Sequence, residues 1–324
     1  MRRKIVCLGL VLVLCMSCFV SCGESEYSDE TFFGMDTFVT IKTDKQGEEA
    51  EKIYESCKNV LEALDGGFSR HIEGSTTYKY NNGNEKVNVS TNFKELLDIA
   101  EEVRRETDGA FTVTSGALTE LWELCELRGS LPTEEELTTA LKAVESEVKL
   151  EGYVLDKTDA VLEFGGIAKG YACVKLVETM KEGGSKSGMV SFTNTIGVFG
   201  ISPSGNKWKI AIKDPLDTSK VLGYVSLSDA FLSVSGDYER FYEIGDEKYT
   251  HILDTKTGMS VNNGVHSVAV VANSGALSDA LSTALFVMGP EKAQQLYGNS
   301  VDVAFLFVTD DGIVTNFAMN KIYK

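Results

Sequence analysis

Three short stretches of this chain carry residue types and spacings that could do chemistry. The first is Ser278-Asp279-Ala280-Leu281-Ser282-Thr283-Ala284. Asp279 and Thr283 are four apart, so on a helix their oxygens share one face, with Ser278 and Ser282 beside them. Leu277, Ala280, Leu281, Ala284 and Met288 fill the opposite face. A plain solvent-facing surface is one reading, but such surfaces usually carry Lys and Glu. Short oxygen donors on a closely packed helix suit a hard cation such as Mg²⁺. The second stretch is Phe164-Gly165-Gly166-Ile167-Ala168-Lys169-Gly170-Tyr171. Its glycines allow close backbone approach, the helix start that follows offers N–H groups to a phosphate, and Lys169 adds positive charge. It matches neither GxxxxGK[ST] nor GxGxxG, and a simple strand-to-helix turn accounts for it equally well. The third is His251, in Tyr249-Thr250-His251-Ile252-Leu253-Asp254. A histidine titrates near neutrality and suits a general base, though a lone histidine is more often a structural hydrogen-bonder.

The elements that must hold these residues follow from periodicity. Residues 31–42 alternate and read as one strand, and 48–64 carry a helical apolar stripe. A second helix begins at Thr91 and ends near Thr107-Asp108-Gly109, and a third covers 134–144 after a Thr133 cap. Residues 160–164 read as a strand feeding the glycine turn, with a helix over 168–181 beyond it. Strands are expected at 188–192, 208–212, 221–227, 231–234, 238–244, 265–271, 303–308 and 313–317. A helix over 276–288 carries Asp279 and Thr283. The class is α+β, with mainly antiparallel sheets and packed helices.

Composition narrows the role. The formal charge of −17 over 324 residues repels nucleic acid. Four prolines and a hydrophobic fraction of 43% argue for a folded chain. Residues 1–22 have the layout of a secretory signal: Arg2, Arg3 and Lys4, then an apolar run too short to be a typical span. The run ends Phe19-Val20-Ser21-Cys22, which resembles a bacterial lipobox and marks Cys22 for lipidation. Residues 23–30 read as an acidic tether, leaving 31–324 as the folded domain. Outside the signal only Cys57, Cys125 and Cys173 remain, far apart and without metal spacing, and they read as small buried hydrophobes.

Taken in order, further motifs resemble the ApbE family of FAD:protein FMN transferases. Gly34-Met35-Asp36-Thr37 is similar to the family's opening strand. Phe68-Ser69-Arg70-His71 with Ser75 and Asn81, and Thr107-Asp108-Gly109-Ala110-Phe111 with Leu118 and Trp122, match two more of its patterns. Gly165 to Ala172, Ser235-Gly236-Asp237-Tyr238-Glu239-Arg240, His251 to Asp254, and Asp279 to Ala284 are close copies of four others. The resemblance runs from about Phe33 to Met319.

The resemblance implies an ApbE-like, T-fold-like architecture. It implies Mg²⁺-dependent transfer of FMN from FAD to a threonine hydroxyl of a partner protein, with release of AMP. By the same likeness Asp279 and Thr283 hold Mg²⁺ with the Gly166 carbonyl, and Lys169 contacts the FAD pyrophosphate. Met35, His71, Ala110, Phe111, Thr112, Glu163 and Ile252 stand at FAD-contact positions, and His251 is the base. The acceptor would carry an Asp-x-x-Ser/Thr-Gly-Ala-Thr-like motif, as in a subunit of a flavin-based redox complex, and this chain has no such motif. The place of action would be the outer face of a bacterial cell membrane. Four positions depart from the family pattern: Thr193-Asn194-Thr195 replaces Gly-Gly-Asn, Glu163 an Asp, Thr112-Val113-Thr114 an Asp-Pro-Thr, and His71 a Tyr. Hydrolysis of FAD to FMN and AMP, or FAD binding without catalysis, are the alternatives.

Overall fold

The computed structural model describes residues 27–317. The signal, Cys22 and Met319 lie outside them. Two strands, β1 (Ser28–Gly34) and β2 (Thr37–Thr43), open the fold, followed by helices α1 (Gly47–Phe68) and α2 (Thr76–Asn82). Next come β3 (Val87–Asn88), α3 (Thr91–Glu106), α4 (Gly116–Arg128), α5 (Glu134–Val144), β4 (Lys149–Glu151) and β5 (Val154–Asp156). Helix α6 (Ala168–Glu182) leads into β6 (Gly188–Ser191), β7 (Thr195–Phe199), β8 (Trp208–Asp214), β9 (Asp217–Leu227) and β10 (Ala230–Gly236). The chain continues through β11 (Phe241–Ile244), β12 (Glu247–Thr250), β13 (Val265–Ala272), α7 (Gly275–Met288), α8 (Pro290–Tyr297), β14 (Ala304–Thr309) and β15 (Gly312–Thr315).

Eight strands form one sheet in the order β1-β2-β6-β7-β10-β13-β14-β15, and every pair in it is antiparallel. Both faces are covered. Helices α1, α6 and α7 bury one face with Val39, Ile41, Leu61, Leu176, Val190, Val268, Val270 and Leu281 in a single core. The β8–β9 hairpin packs on the other, where Trp208, Ile210 and Val225 meet Val198, Leu232, Ala269 and Leu306. A third cluster joins α4 and α5 to the β11–β12 hairpin through Leu118, Trp122, Tyr242 and Leu253. The α+β class therefore stands, with antiparallel sheets. Cys57, Cys125 and Cys173 are buried free thiols, as expected of small hydrophobes. Among the described residues no helix is long and apolar enough to cross a membrane.

Several expectations are corrected. The single strand over 31–42 is a hairpin, broken at Met35 and Asp36, whose φ values of 52° and 59° suit a tight two-residue turn. The folded domain begins before residue 31: Ser28 pairs with Thr43, and the Tyr27 hydroxyl donates to the Ile201 carbonyl at 2.6 Å. Residues 160–164 contribute only an isolated parallel bridge between Val161 and Ser115, because the neighbouring segment turns into α4 at Gly116 after two backbone hydrogen bonds, Glu163 N–H to the Val113 carbonyl and Gly116 N–H to the Val161 carbonyl. The strand expected over 238–244 begins at Phe241, since Asp237 to Glu239 turn away from the sheet after β10. His266 anchors this corner, with its ring nitrogens 3.0 Å from Asp237 Oδ2 and 2.9 Å from Asp310 Oδ1.

Helices α6 and α7 cross at two glycines. A Cβ on Gly170 would stand 2.1 Å from the Gly275 carbonyl oxygen and 2.6 Å from the Asp279 Cβ, and one on Gly275 would stand 2.3 Å from the Gly170 oxygen. Backbone cannot yield there as a flexible side chain would. Gly170→Ala is expected to destabilise the fold by about 3 kcal/mol through overpacking, read from the urea midpoint. An unchanged midpoint would mean that the crossing relaxes freely.

Candidate active site

Asp279 projects from α7 into the crossing with α6. The Gly170 N–H donates to its Oδ2 at 2.9 Å, and the Thr195 hydroxyl donates to Oδ1 at 3.2 Å. Burial pushes its carboxyl up from the ordinary range, while the Lys169 charge and these two donors pull it back. One turn further, Thr283 Oγ1 lies 3.4 Å from Ser235 Oγ on β10. It is also 3.4 Å from where a Cβ on Gly166 would stand, so the glycine turn lies in contact with this helix face. Asp279, Thr283 and the Gly166 backbone are thus neighbours.

The glycine turn differs from the expected phosphate cradle. The Gly165 N–H donates to Glu163 Oε1 at 2.7 Å, those of Ile167 and Ala168 to the Phe164 carbonyl, and that of Gly170 to Asp279. These N–H groups are engaged inside the protein, and the positive charge comes from Lys169, whose Nζ donates to the Gly165 carbonyl at 2.8 Å. Arg70 Nε also pairs with Glu163 Oε2 at 2.6 Å. Both Glu163 oxygens therefore shape the turn. Asn81 clamps the same segment: its Oδ1 accepts from the Leu162 N–H at 2.8 Å and its Nδ2 donates to the Leu162 carbonyl at 2.9 Å.

His251 follows β12, held by the cluster around Trp122. Its Nδ1 is 2.9 Å from the Arg240 carbonyl. A carbonyl oxygen only accepts, so Nδ1 carries the proton and Nε2 keeps its lone pair. Burial is the chief cause holding the imidazole below its ordinary value, and the charges of Arg240 and Lys169 act the same way. At neutral pH His251 is a neutral base.

A model of the ApbE family matches residues 35–307. The chain belongs to the ApbE family, and is a transferase enzyme. A Vibrio cholerae relative named FAD:protein FMN transferase is 29% identical over 324 residues, covering 96% of each chain. A Treponema pallidum protein of the same name is 28% identical, covering 96% of this chain and 93% of its own. Among solved structures, the ApbE protein of Thermotoga maritima superposes with a TM-score of 0.82 at 29% identity, over 92% of this chain and 99% of that one. The flavin transferase ApbE of Vibrio cholerae gives 0.78 at 27%, over 90% and 97%.

Within this ApbE fold the expected site residues fall into two sets. Asp279, Thr283, Gly166, Lys169 and His251 share one neighbourhood, since the Lys169 charge acts on both Asp279 and His251. Ala110, Phe111 and Thr112 border it, with the Phe111 ring 3.2 Å from the position of a Gly166 Cβ. The Thr255 hydroxyl ties this segment to the His251 loop, donating to the Gly109 carbonyl at 2.6 Å. Ile252 is buried in the core beside His251. Met35 sits at the tip of the β1–β2 hairpin, where its N–H donates to Asp65 at 3.2 Å. His71 lies in an exposed turn after α1, and among the described residues no contact joins its side chain to the cluster.

Two residues acquire roles here that the sequence alone did not suggest. Thr195, noted only as a departure from the family pattern, holds the carboxylate of Asp279. Glu239, quoted only inside a motif, has a buried Oε1 with no hydrogen-bond partner. Burial pushes its carboxyl up to about 8, Asp279 adds to the shift, and Lys169 opposes it. A buried carboxylate oxygen without a partner is costly unless something else binds it. Its lone position after the Asp237–Tyr238 turn offered no spacing signal.

The donor set fits a hard cation. No three His, Cys, Asp or Glu side chains cluster as a metal site among the described residues. What is present is the Asp279 carboxylate with the Thr283 hydroxyl one turn on, the Gly166 backbone lying against Thr283, and the unpartnered Glu239 oxygen electrostatically coupled to Asp279. All-oxygen sets of this kind with few carboxylates suit Mg²⁺, which keeps part of its water and shares substrate phosphates.

Proposed function

We propose that this chain transfers FMN from FAD to a threonine hydroxyl of a partner protein, releasing AMP, with Mg²⁺ held by Asp279, Thr283 and the Gly166 carbonyl. The observation that carries the reading is the convergence on Lys169 of a buried oxygen-donor set and a histidine whose free nitrogen is a base. Mg²⁺, when bound, would neutralise charge on the pyrophosphate. Lys169 adds a second positive charge against the same phosphates. His251 Nε2 takes the threonine proton as the hydroxyl oxygen bonds to the FMN phosphorus. The bridging P–O bond breaks and AMP leaves, so the atoms balance. Phe111 and Ile252, both buried in the core beside the site, keep its inner wall apolar, which favours the protein hydroxyl over water.

The same reading places the protein outside the cytoplasm, anchored through a lipidated Cys22, with its acceptor on the outer face of the membrane. The amino-terminal pattern, a basic start, an apolar run and a lipobox-like end at Cys22, supports this placement. The test incubates the protein with FAD, Mg²⁺ and a peptide carrying the Asp-x-x-Ser/Thr-Gly-Ala-Thr motif, and weighs the peptide. A gain of one FMN per peptide with equimolar AMP is expected. AMP and FMN without modified peptide would replace transfer by hydrolysis, and FAD bound without AMP would leave a flavin-binding protein.

A further inference from the structure

Strand β10 meets helix α7 through hydroxyls rather than hydrocarbon. Ser233 and Ser235 are two apart and so face the same way. They reach Ser278 at 2.9 Å and Ser282 at 2.7 Å, respectively. Each helix serine also donates to the carbonyl three residues back: Ser278 to Gly275 at 3.0 Å, Ser282 to Asp279 at 2.8 Å. A hydroxyl has one proton, and a carbonyl oxygen has none. The helix serines have committed theirs to the backbone, so the strand serines must donate across the gap. The proton of Ser235 therefore belongs to Ser282. Toward Thr283 Oγ1, at 3.4 Å, Ser235 can act only as acceptor. Among the described residues it is the one hydrogen-bond partner of the Thr283 hydroxyl.

The geometry points to Ser235 as a positioning residue for cation binding: it sets the direction of this hydroxyl chain so that Thr283 gives its proton to the strand and keeps its lone pairs for a divalent cation. The inference rests on the reading of Asp279 and Thr283 as metal-holding residues. A threonine free to rotate presents its proton to a cation part of the time, which repels it. One whose proton is directed away is preorganised as a ligand. The chain also passes through the carbonyl of Asp279 itself, so both proposed ligands are tied to one run of hydrogen bonds.

Ser233 provides the internal control. It sits on the same face of the same strand and bonds its own helix serine, but it does not touch Thr283. The experiment titrates Mn²⁺ into the full chain, reads free Mn²⁺ by electron paramagnetic resonance, and displaces the bound ion with Mg²⁺. Ser235→Ala should weaken binding roughly five- to tenfold, as expected for one lost hydrogen bond at the ligand. Ser282→Ala should weaken it as well, because it releases the Ser235 proton to turn toward Thr283. Ser233→Ala and Ser278→Ala should stay within about twofold of the parent, and Ser235→Thr should restore binding. Equal effects of the 233/278 and 235/282 pairs, or none from either, would overturn the role of Ser235 while leaving the metal site standing. A parent protein that binds no more Mn²⁺ than Asp279→Asn would overturn the metal reading, and this inference with it.

Discussion

Asp279→Asn is expected to lower kcat/KM for FMN transfer about 10³-fold, which corresponds to removing one preorganised charge from a transition state dominated by electrostatics. The substitution changes charge with little change of shape. The amide oxygen can still accept from the Gly170 N–H, and the amide nitrogen can donate to the Thr195 hydroxyl. The crossing of α6 and α7 should therefore persist. Because burial already disfavours the Asp279 carboxylate, the variant should melt no lower than the parent in the absence of metal. Loss of transfer with the melting temperature preserved assigns the effect to charge. Transfer within tenfold of the parent would exclude Asp279 from the chemistry.

His251→Ala should cost between about 10² and 10⁴ in rate, the usual contribution of a positioned base. The parent's pH profile provides a second check. The reactive form is the neutral imidazole with Nε2 free. Its pKa is lowered from 6.5, so protonation, and the accompanying loss of rate, comes only as pH falls below that value. The rate should be flat through neutrality, with its acid limb below pH 6.5. The alanine variant should lack this limb. A parent limb centred above pH 7, or an unchanged limb in the variant, would assign the titration to another group. Glu239, whose carboxyl is pushed up to about 8, is then the first to replace, as Glu239→Gln.

The parts of the fold that depend on short-range pattern were legible before any coordinates. The helical stripe in α3 and the alternation of β8 place their apolar residues in the core, and the Thr133 cap marks the start of α5. The elements missed include α2, β7, β12 and α8, together with α4 and the strands β3 to β5. Helix α4 carries a buried stripe of Leu118, Leu121, Trp122 and Cys125, but the exposed Leu124 and Leu127 on its other side blur that stripe in the sequence. Strands β3, β4 and β5 are two or three residues long and exist only because their neighbours supply the ladder. At residues 160–164, strand-like composition met only the short segment 113–116, which supplies two backbone hydrogen bonds and a single bridge before α4 begins.

For the site, the four-residue spacing of Asp279 and Thr283, the flexibility of Gly165-Gly166 and the chemistry of His251 were local properties, readable without knowledge of the fold. Their union was not. The Gly170 N–H and Asp279 are 109 positions apart, and Thr195 and Asp279 are 84 apart. Which side chains meet across such distances depends on how α6 and α7 cross and on where the β11–β12 hairpin docks. Tertiary structure alone decided that the Gly170 N–H is used on Asp279, whereas the Gly165, Ile167 and Ala168 N–H groups are engaged within the turn itself. It likewise decided that Glu239 loses its water, that His251 presents Nε2 and that the Thr283 proton runs toward Ser235. Sequence spacing encodes which groups share a face of one element; the state of a proton or a buried charge depends on partners brought from others.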